Sequence, residues 1–291
     1  MPAHRFVYGP VASRRLGFSL GIDIIPFKTC TLDCIYCQLG PTGKSTVRRG
    51  SWFPPEEILA QIKAAVNSGQ KIDVITFSGS GEPTLSRDIG RLIRGIKKMT
   101  PIPVAVLTNA TLLGRKDVRR DLAAADIVVP SLDAALAPTF RRVNRPHASL
   151  DHRKIIDGLV RFRDEFPGEI RLEIMLVKGV NDSPSHIRAL KAAVARIRPD
   201  RIELNTVVRP PADRGAGPLS PAALARIRGQ FGPKAEVVAS FAARKQAPAS
   251  GGLEAAIMAT VGRRPQTAAD IAEALGRHRD EVLKALTSLL G

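Results

Sequence analysis

The sequence predicts an α/β fold: a parallel sheet of six strands rolled into a partial (βα)6 TIM-like barrel, followed by a small C-terminal helical domain of helix-turn-helix type. Three observations predict it. Short apolar runs alternate with segments of helical period across residues 20–208, the pattern of a parallel sheet with crossover helices. Polar and small residues gather just beyond those runs, and barrels carry their working groups at the C-terminal ends of several strands. The stretch 246–252, QAPASGG, then breaks the composition ahead of a helical tail.

Taken in order, residues 1–20 form a polar, glycine-rich lead whose Ser13, Arg14, Arg15, Leu16, Gly17 and Ser19 fold over one mouth of the domain. Its arginines meet a phosphate or a carboxylate, or face solvent. A buried strand over 20–25 ends at Pro26. Pro54 and Pro55 open a helix over 56–66, with Ile58, Leu59, Ile62 and Val66 at helical spacing. Strands over 73–77, 104–107, 127–130, 169–177 and 201–208 alternate with helices over 87–99, 116–124, 150–166 and 185–197. Doubly wound sheets alternate in the same way, so the barrel rests on where polar residues fall. Cys30 follows the first strand, Ser80, Gly81 and Glu82 the second, Asn109 the third, Ser131 and Asp133 the fourth and Lys178 the fifth; Asn205 and Arg209 lie in or after the sixth. In the tail, Leu253, Ile257, Met258 and Val261 mark one helix. Thr267 and Asp270 form a capping box for a second over 268–275, stopped by Gly276, and a third over 279–290 buries Val282, Leu283, Leu286 and Leu290. The expected domains are 1–245 and 253–291, with 246–252 as linker.

Composition bounds the function. The 291 residues are 44% hydrophobic, enough for a substantial core. No stretch nears the roughly 18 apolar residues of a membrane span, and MPAHRFVYGP lacks the apolar region of a signal peptide. A cytoplasmic protein with reduced thiols is expected. The 44 Lys and Arg against 27 Asp and Glu leave +17, which favours polyanionic partners such as nucleic acid. Arginine also decorates many solvated faces, so charge alone does not decide the partner.

All three cysteines, Cys30, Cys34 and Cys37, fall in residues 27–40, FKTCTLDCIYCQLG. Three thiolates spaced C-x3-C-x2-C can close a loop around one metal centre. Structural zinc wants four thiolate or imidazole ligands, and the nearest histidines, His4 and His147, are distant in sequence. Iron–sulfur clusters are held by thiolates, normally four; three leave one iron open to a substrate or cofactor. The alternatives are a zinc knuckle, a disulfide with a spare thiol, or buried free cysteines, and an odd, tightly packed trio suits a disulfide framework poorly.

The loop, with Tyr36 as the aromatic before its last cysteine, resembles the signature of the radical S-adenosylmethionine (radical SAM) superfamily. Residues 9–38 further resemble the branch containing wyosine-type tRNA-modifying synthases. The resemblance implies a partial (βα)6 barrel and a [4Fe–4S] cluster on Cys30, Cys34 and Cys37. It also implies S-adenosyl-L-methionine at the open iron, cleaved reductively to a 5′-deoxyadenosyl radical with an electron from a donor such as flavodoxin or ferredoxin. Gly79–Pro83, GSGEP, resembles the superfamily's GGE motif, with Ser80 in place of its first glycine; Ser80, Gly81 and Glu82 would hold the methionyl ammonium. Asn109 closes a polar strand end, Ser131 and Asp133 would bond the ribose hydroxyls, and Tyr36 would pack over the adenine. For each, the plainer reading is a tight turn, a cap or core packing. Wyosine synthases carry further cysteines for a second cluster, and this chain has none left.

Lys178, Asn205 and Arg209 are the candidate substrate-side residues. Lys178 reads as a substrate-facing ammonium, a Schiff-base former or a solvated lysine, and Arg209 as an anion binder or a surface arginine. The five histidines show no ligand spacing, and neither a P-loop nor a full Rossmann glycine pattern occurs. The function expected is hydrogen abstraction by the 5′-deoxyadenosyl radical from an RNA, tRNA in particular. One Trp, two Tyr and ten Phe offer few stacking platforms for single strands, so a peptide or small-metabolite substrate is the alternative. A non-catalytic, DNA-binding iron–sulfur regulator is the third.

Overall fold

The computed structural model describes residues 4–13, 15–238, 253–261, 266–275 and 279–290. The chain opens with a hairpin in which β1 (Val7–Ser13) runs antiparallel to β2 (Gly17–Ile22). Two short parallel strands, β3 (Thr29–Cys30) and β4 (Lys44–Ser45), bracket the cysteine loop. There follow α1 (Pro55–Val66), β5 (Val74–Phe77), α2 (Ile89–Met99), β6 (Val104–Thr108), α3 (Lys116–Leu122), β7 (Ile127–Pro130) and α4 (Ala137–Asn144). Then come α5 (His152–Glu165), β8 (Glu169–Leu176), α6 (Pro184–Ile197), β9 (Arg201–Thr206), α7 (Pro221–Phe231) and β10 (Ala235–Val237).

All six expected strands form. The main sheet has eight, because β1 and β10 add to its edges in the order β1-β2-β5-β6-β7-β8-β9-β10. Reading the sequence missed β1, α4 and α7, although α7 at 11 residues is as long as α2. The helices start where side chains satisfy free amides: Asp151 accepts from the Arg153 and Lys154 amides, and Ser183 and Ser220 cap α6 and α7 ahead of Pro184 and Pro221.

Every strand pair except β1–β2 is parallel, and neighbours in the sheet are neighbours in sequence. A doubly wound sheet reverses its order at a switch point; this one never does, so right-handed crossovers keep the helices on one face. The other face closes on itself. Arg15, in the β1–β2 turn, reaches Glu203 on β9 at 2.7 Å and Glu173 on β8 at 3.1 Å. In a flat sheet β2 and β9 would lie five strand spacings apart, about 24 Å, far beyond one arginine. The sheet is therefore curled.

Alternation divides the two faces. Leu20, Ile22, Ile75, Phe77, Leu172, Ile174 and Leu204 are fully buried and belong to the apolar face. Ser19 donates to Thr76, and Glu173, Glu203 and Asn205 sit on the inner, polar face, with Glu173 opposite Glu203 in register. The lumen is polar where a substrate-bearing barrel needs it.

The three terminal helices, α8 (Leu253–Val261), α9 (Ala268–Leu275) and α10 (Arg279–Leu290), share a small core of Ile257, Ile271, Ala272 and Val282. The capping box forms: the Thr267 amide donates to Asp270 at 3.0 Å, and the Asp270 amide to Thr267 at 3.1 Å. Met258 and Leu283, expected inside, are exposed, because each small helix has room for only one inward stripe. The 246–252 break, Gly276 and the Leu290 side chain lie outside the described residues. No described helix is long and apolar enough to cross a membrane.

Candidate active site

The cysteine loop sits at the C-terminal end of the strands, strapped from two sides. The end of α4 holds one side: the Ile35 amide donates to Val143 O, the Asp33 amide to Asn144 O and the His147 amide to Thr31 O. The segment after β9 holds the other, with the Asp213 amide donating to Ile35 O at 2.9 Å and Arg209 to the Gln38 side chain at 3.2 Å. Backbone anchorage on both flanks fixes where the three sulfurs stand.

Cys30, Cys34 and Cys37 are free thiols, each partly accessible, so the disulfide alternative fails. Each sulfur faces its own N–H donor: Asn109 Nδ2 at 3.5 Å from Cys30, Asn144 Nδ2 at 3.3 Å from Cys34, and Lys28 Nζ at 3.3 Å from Cys37. Desolvation pushes the Cys30 thiol up to about 12, with the Glu82 and Cys37 charges adding to it. Cys34 is raised by desolvation first, then by Asp133, and also by Cys30.

These residues fit the [4Fe–4S] cluster. Among the described residues no three His, Cys, Asp or Glu side chains converge as ligands of a single metal ion. His4 stacks on Phe53 and His147 meets Ser149, so neither histidine completes a zinc knuckle. Three thiols on one loop, each beside an N–H donor and with neither histidine at hand, are a donor set that suits an iron–sulfur cluster.

The GSGEP turn is built into this loop. At Gly81 a Cβ would stand 2.1 Å from Thr29 O, and at Gly79 (φ +139°) 2.5 Å from Asp23 Cγ. Both glycines thus admit close backbone approach, and the Glu82 amide donates to Thr29 O at 3.1 Å. Ser80 donates to Asp23 through both its amide and its hydroxyl. The Glu82 carboxylate is buried and accepts from the Thr84 amide and hydroxyl, the Thr108 hydroxyl and the Asn109 amide. Desolvation raises its pKa. Glu82 therefore caps the following turn and ties β6 to the loop.

Tyr36 and Asp133 meet directly. The Tyr36 hydroxyl and Asn144 Nδ2 both donate to Asp133 Oδ2, and the Met175 amide to Oδ1 at 2.9 Å. Desolvation lifts Asp133 to about 6, against the pull of those donors. Ser131 and Asp133 line a narrow crevice with Asn109, Asn144 and Phe140. Behind it, Asn181 Nδ2 reaches the Asp133 carbonyl at 2.9 Å and His186 Nε2 lies 3.2 Å from it. Deeper in the lumen, Asn205 Nδ2 donates to Glu173 at 3.0 Å, and the fully buried Glu203 keeps Oε1 without a partner.

Of the substrate-side candidates, Asn205 faces the lumen and Arg209 touches the cysteine loop. Lys178 is exposed, which makes it a solvated lysine. Arg15 meets carboxylates of its own chain, and Arg14 lies outside the described residues. Reading the sequence missed Lys28, Asn144, Glu173 and Glu203. Lys28 and Asn144 carry no motif, but charge on alternate positions of β8 and β9, otherwise apolar strands, was a usable signal for the two glutamates.

Residues 24–190 match the radical SAM superfamily. A protein of Brachyspira hyodysenteriae named GTPase Obg is 42% identical over 225 residues, 77% of this chain but 33% of that one. The chain thus spans a third of that relative. A UPF0026 protein of Synechocystis sp. is 40% identical over 205 residues, 70% of this chain and 76% of its own length. Among solved structures, TYW1 with a lysine–pyruvate adduct bound aligns with a TM-score of 0.56 at 21% identity, covering 73% of this chain and 72% of that one. That likeness is one of fold.

Proposed function

Because this chain belongs to the radical SAM superfamily, whose enzymes use a [4Fe–4S] cluster and S-adenosylmethionine, we propose that Cys30, Cys34 and Cys37 hold the cluster and that the enzyme abstracts a hydrogen atom from an RNA, tRNA in particular. The cluster and SAM together supply a 5′-deoxyadenosyl radical. Membership in a superfamily of enzymes sets aside the non-catalytic regulator.

The protein's own part is to bind, orient and exclude. Lys28, Asn109 and Asn144 hold the three sulfurs in place and offset their negative charge. The carbonyls of the GSGEP turn receive the methionyl ammonium, while Ser131 and Asp133 face the ribose. Tyr36, by donating to Asp133, fixes that carboxylate and sets its own ring beside the crevice. Segment 207–220 braces the loop, through Arg209 to Gln38 and the Asp213 amide to Ile35 O. The observation that carries this reading is three free thiols on one strapped loop, each with its own N–H donor, beside the polar ends of the strands.

The RNA reading rests on the charge of +17 and the branch resemblance. The small number of aromatic residues that could stack bases, one Trp, two Tyr and ten Phe, favours a second reading, a small polar metabolite or a peptide. Anaerobic, cluster-loaded protein incubated with SAM and dithionite discriminates the two. Stimulation of 5′-deoxyadenosine release by bulk tRNA supports the first; stimulation only by a peptide or metabolite fraction supports the second.

A further inference from the structure

An open groove lies along α4 and the start of α5, a cavity of about 610 Å³. Its walls carry Arg141, Arg145, Arg153, His147 and His152 against a single acid, Asp151. Asp151 is engaged in capping α5, and Asp213 takes Arg145 at 2.6 Å. Arg141 and Arg153 are exposed, and no carboxylate within 4 Å pairs with either among the described residues. Two open cations on one concave wall suit an anion from outside the chain.

Its position gives the charge a purpose. The groove's Pro146 bridges to Leu32 of the cysteine loop, and the His147 amide bonds Thr31 O at 3.0 Å. Phe140 lines both the groove and the crevice that holds Ser131 and Asp133. A polymer lying in the groove would therefore run beside the reacting end of the barrel. The volume alone would also suit a single small anion; what favours a polymer is the spread of cations along α4 and α5, which a phosphate backbone can meet in sequence.

We infer that this groove is the docking surface for the phosphate backbone of the RNA substrate, an inference that rests on the RNA reading above. Arg141 and Arg153 contact phosphates, and His147, His152 and Arg145 line the track between them. Phosphate contacts position a nucleic acid without reading its sequence, so this surface sets register and leaves base choice to the lumen.

The test is binding of bulk tRNA to the cluster-loaded full chain, by fluorescence anisotropy across a salt series. The double reversal R141E/R153E is expected to weaken binding by at least about tenfold and to reduce the salt slope by about 2, one unit for each phosphate no longer neutralised. R141Q/R153Q should fall between, with SAM affinity and RNA-independent SAM cleavage unchanged in both. R94E/R226E, the same charge change on exposed arginines of α2 and α7, should bind as wild type does. Equal weakening in the groove pair and this control pair would overturn the inference in favour of net charge. Duplex DNA competing as well as tRNA would overturn it in favour of a general polyanion surface. If wild type fails to bind tRNA at all, the RNA reading itself falls, a result distinct from intact binding in R141E/R153E.

Discussion

Lys28 is buried and places its ammonium 3.3 Å from Cys37. A positive charge there favours the more negative, reduced state of a cluster held by that sulfur, and hydrogen bonds to ligand sulfurs act in the same direction. K28M should lower the cluster's reduction potential, measured by an EPR-monitored titration of the loaded protein, while K28R should stay closer to wild type. An unchanged potential in K28M would refute this role. The residue scale also shows what a sequence makes legible. The cysteines, Gly81, Tyr36 and Asp133 announced themselves because their chemistry or their neighbours are unusual. Asn144 did not, since its meaning comes from Cys34, 110 positions away. Glu82 was legible as part of a motif, yet its partners on β6 show that its carboxylate works as a cap and a tie.

At the scale of elements, the β1–β2 turn works as a clasp. Arg15 holds Glu173 and Glu203 together across the lumen, and its own charge is favoured by those two carboxylates despite burial. Removing one partner of a buried ion pair strands the other, at a cost of about 3–5 kcal/mol. R15M should lose stability of that order in urea unfolding, and the double variant R15M/E203Q should recover part of it. Equal stability of R15M and wild type would show that the clasp contributes nothing.

Carboxylates paired with arginines set the acid limb. Asp117 lies well below the usual range, chiefly through its bond to Arg115 and also through Arg49; Glu165 is lowered chiefly by Arg119 and Glu169 chiefly by Arg171. A depressed carboxylate contributes stability that is fully present above its unfolded value, near 4, and is lost as pH falls through its folded value. The melting temperature should drop below about pH 4, and more gently in D117N, as followed by circular dichroism. Parallel slopes for D117N and wild type would contradict this. Helix α7, capped by Ser220, was missed, whereas α5 and α6, capped in the same way by Asp151 and Ser183, were legible. The hairpin strand β1 was not, because its pairing with β2, rather than its own hydrophobicity, makes it a strand.

For the molecule as a whole, the alternation of strand and helix was readable, but alternation does not distinguish a doubly wound sheet from a barrel. Long-range order decides it: unreversed strand succession and an arginine that spans the lumen. The same curl brings six strand ends around one mouth, so residues as far apart as Cys30 and Asn205 serve one site. Charge was legible only as a total; its concentration on the α4–α5 wall depends on the fold. The central claim is that three sulfurs in this mouth carry a cluster that opens SAM. The most direct measurement is iron content, with EPR and 5′-deoxyadenosine analysis, on oxygen-protected protein reduced with dithionite. The account expects a [4Fe–4S] signal perturbed by SAM, and 5′-deoxyadenosine that disappears when Cys30, Cys34 and Cys37 are replaced by Ala. Zinc in the loop, or SAM left intact by cluster-loaded protein, would contradict it.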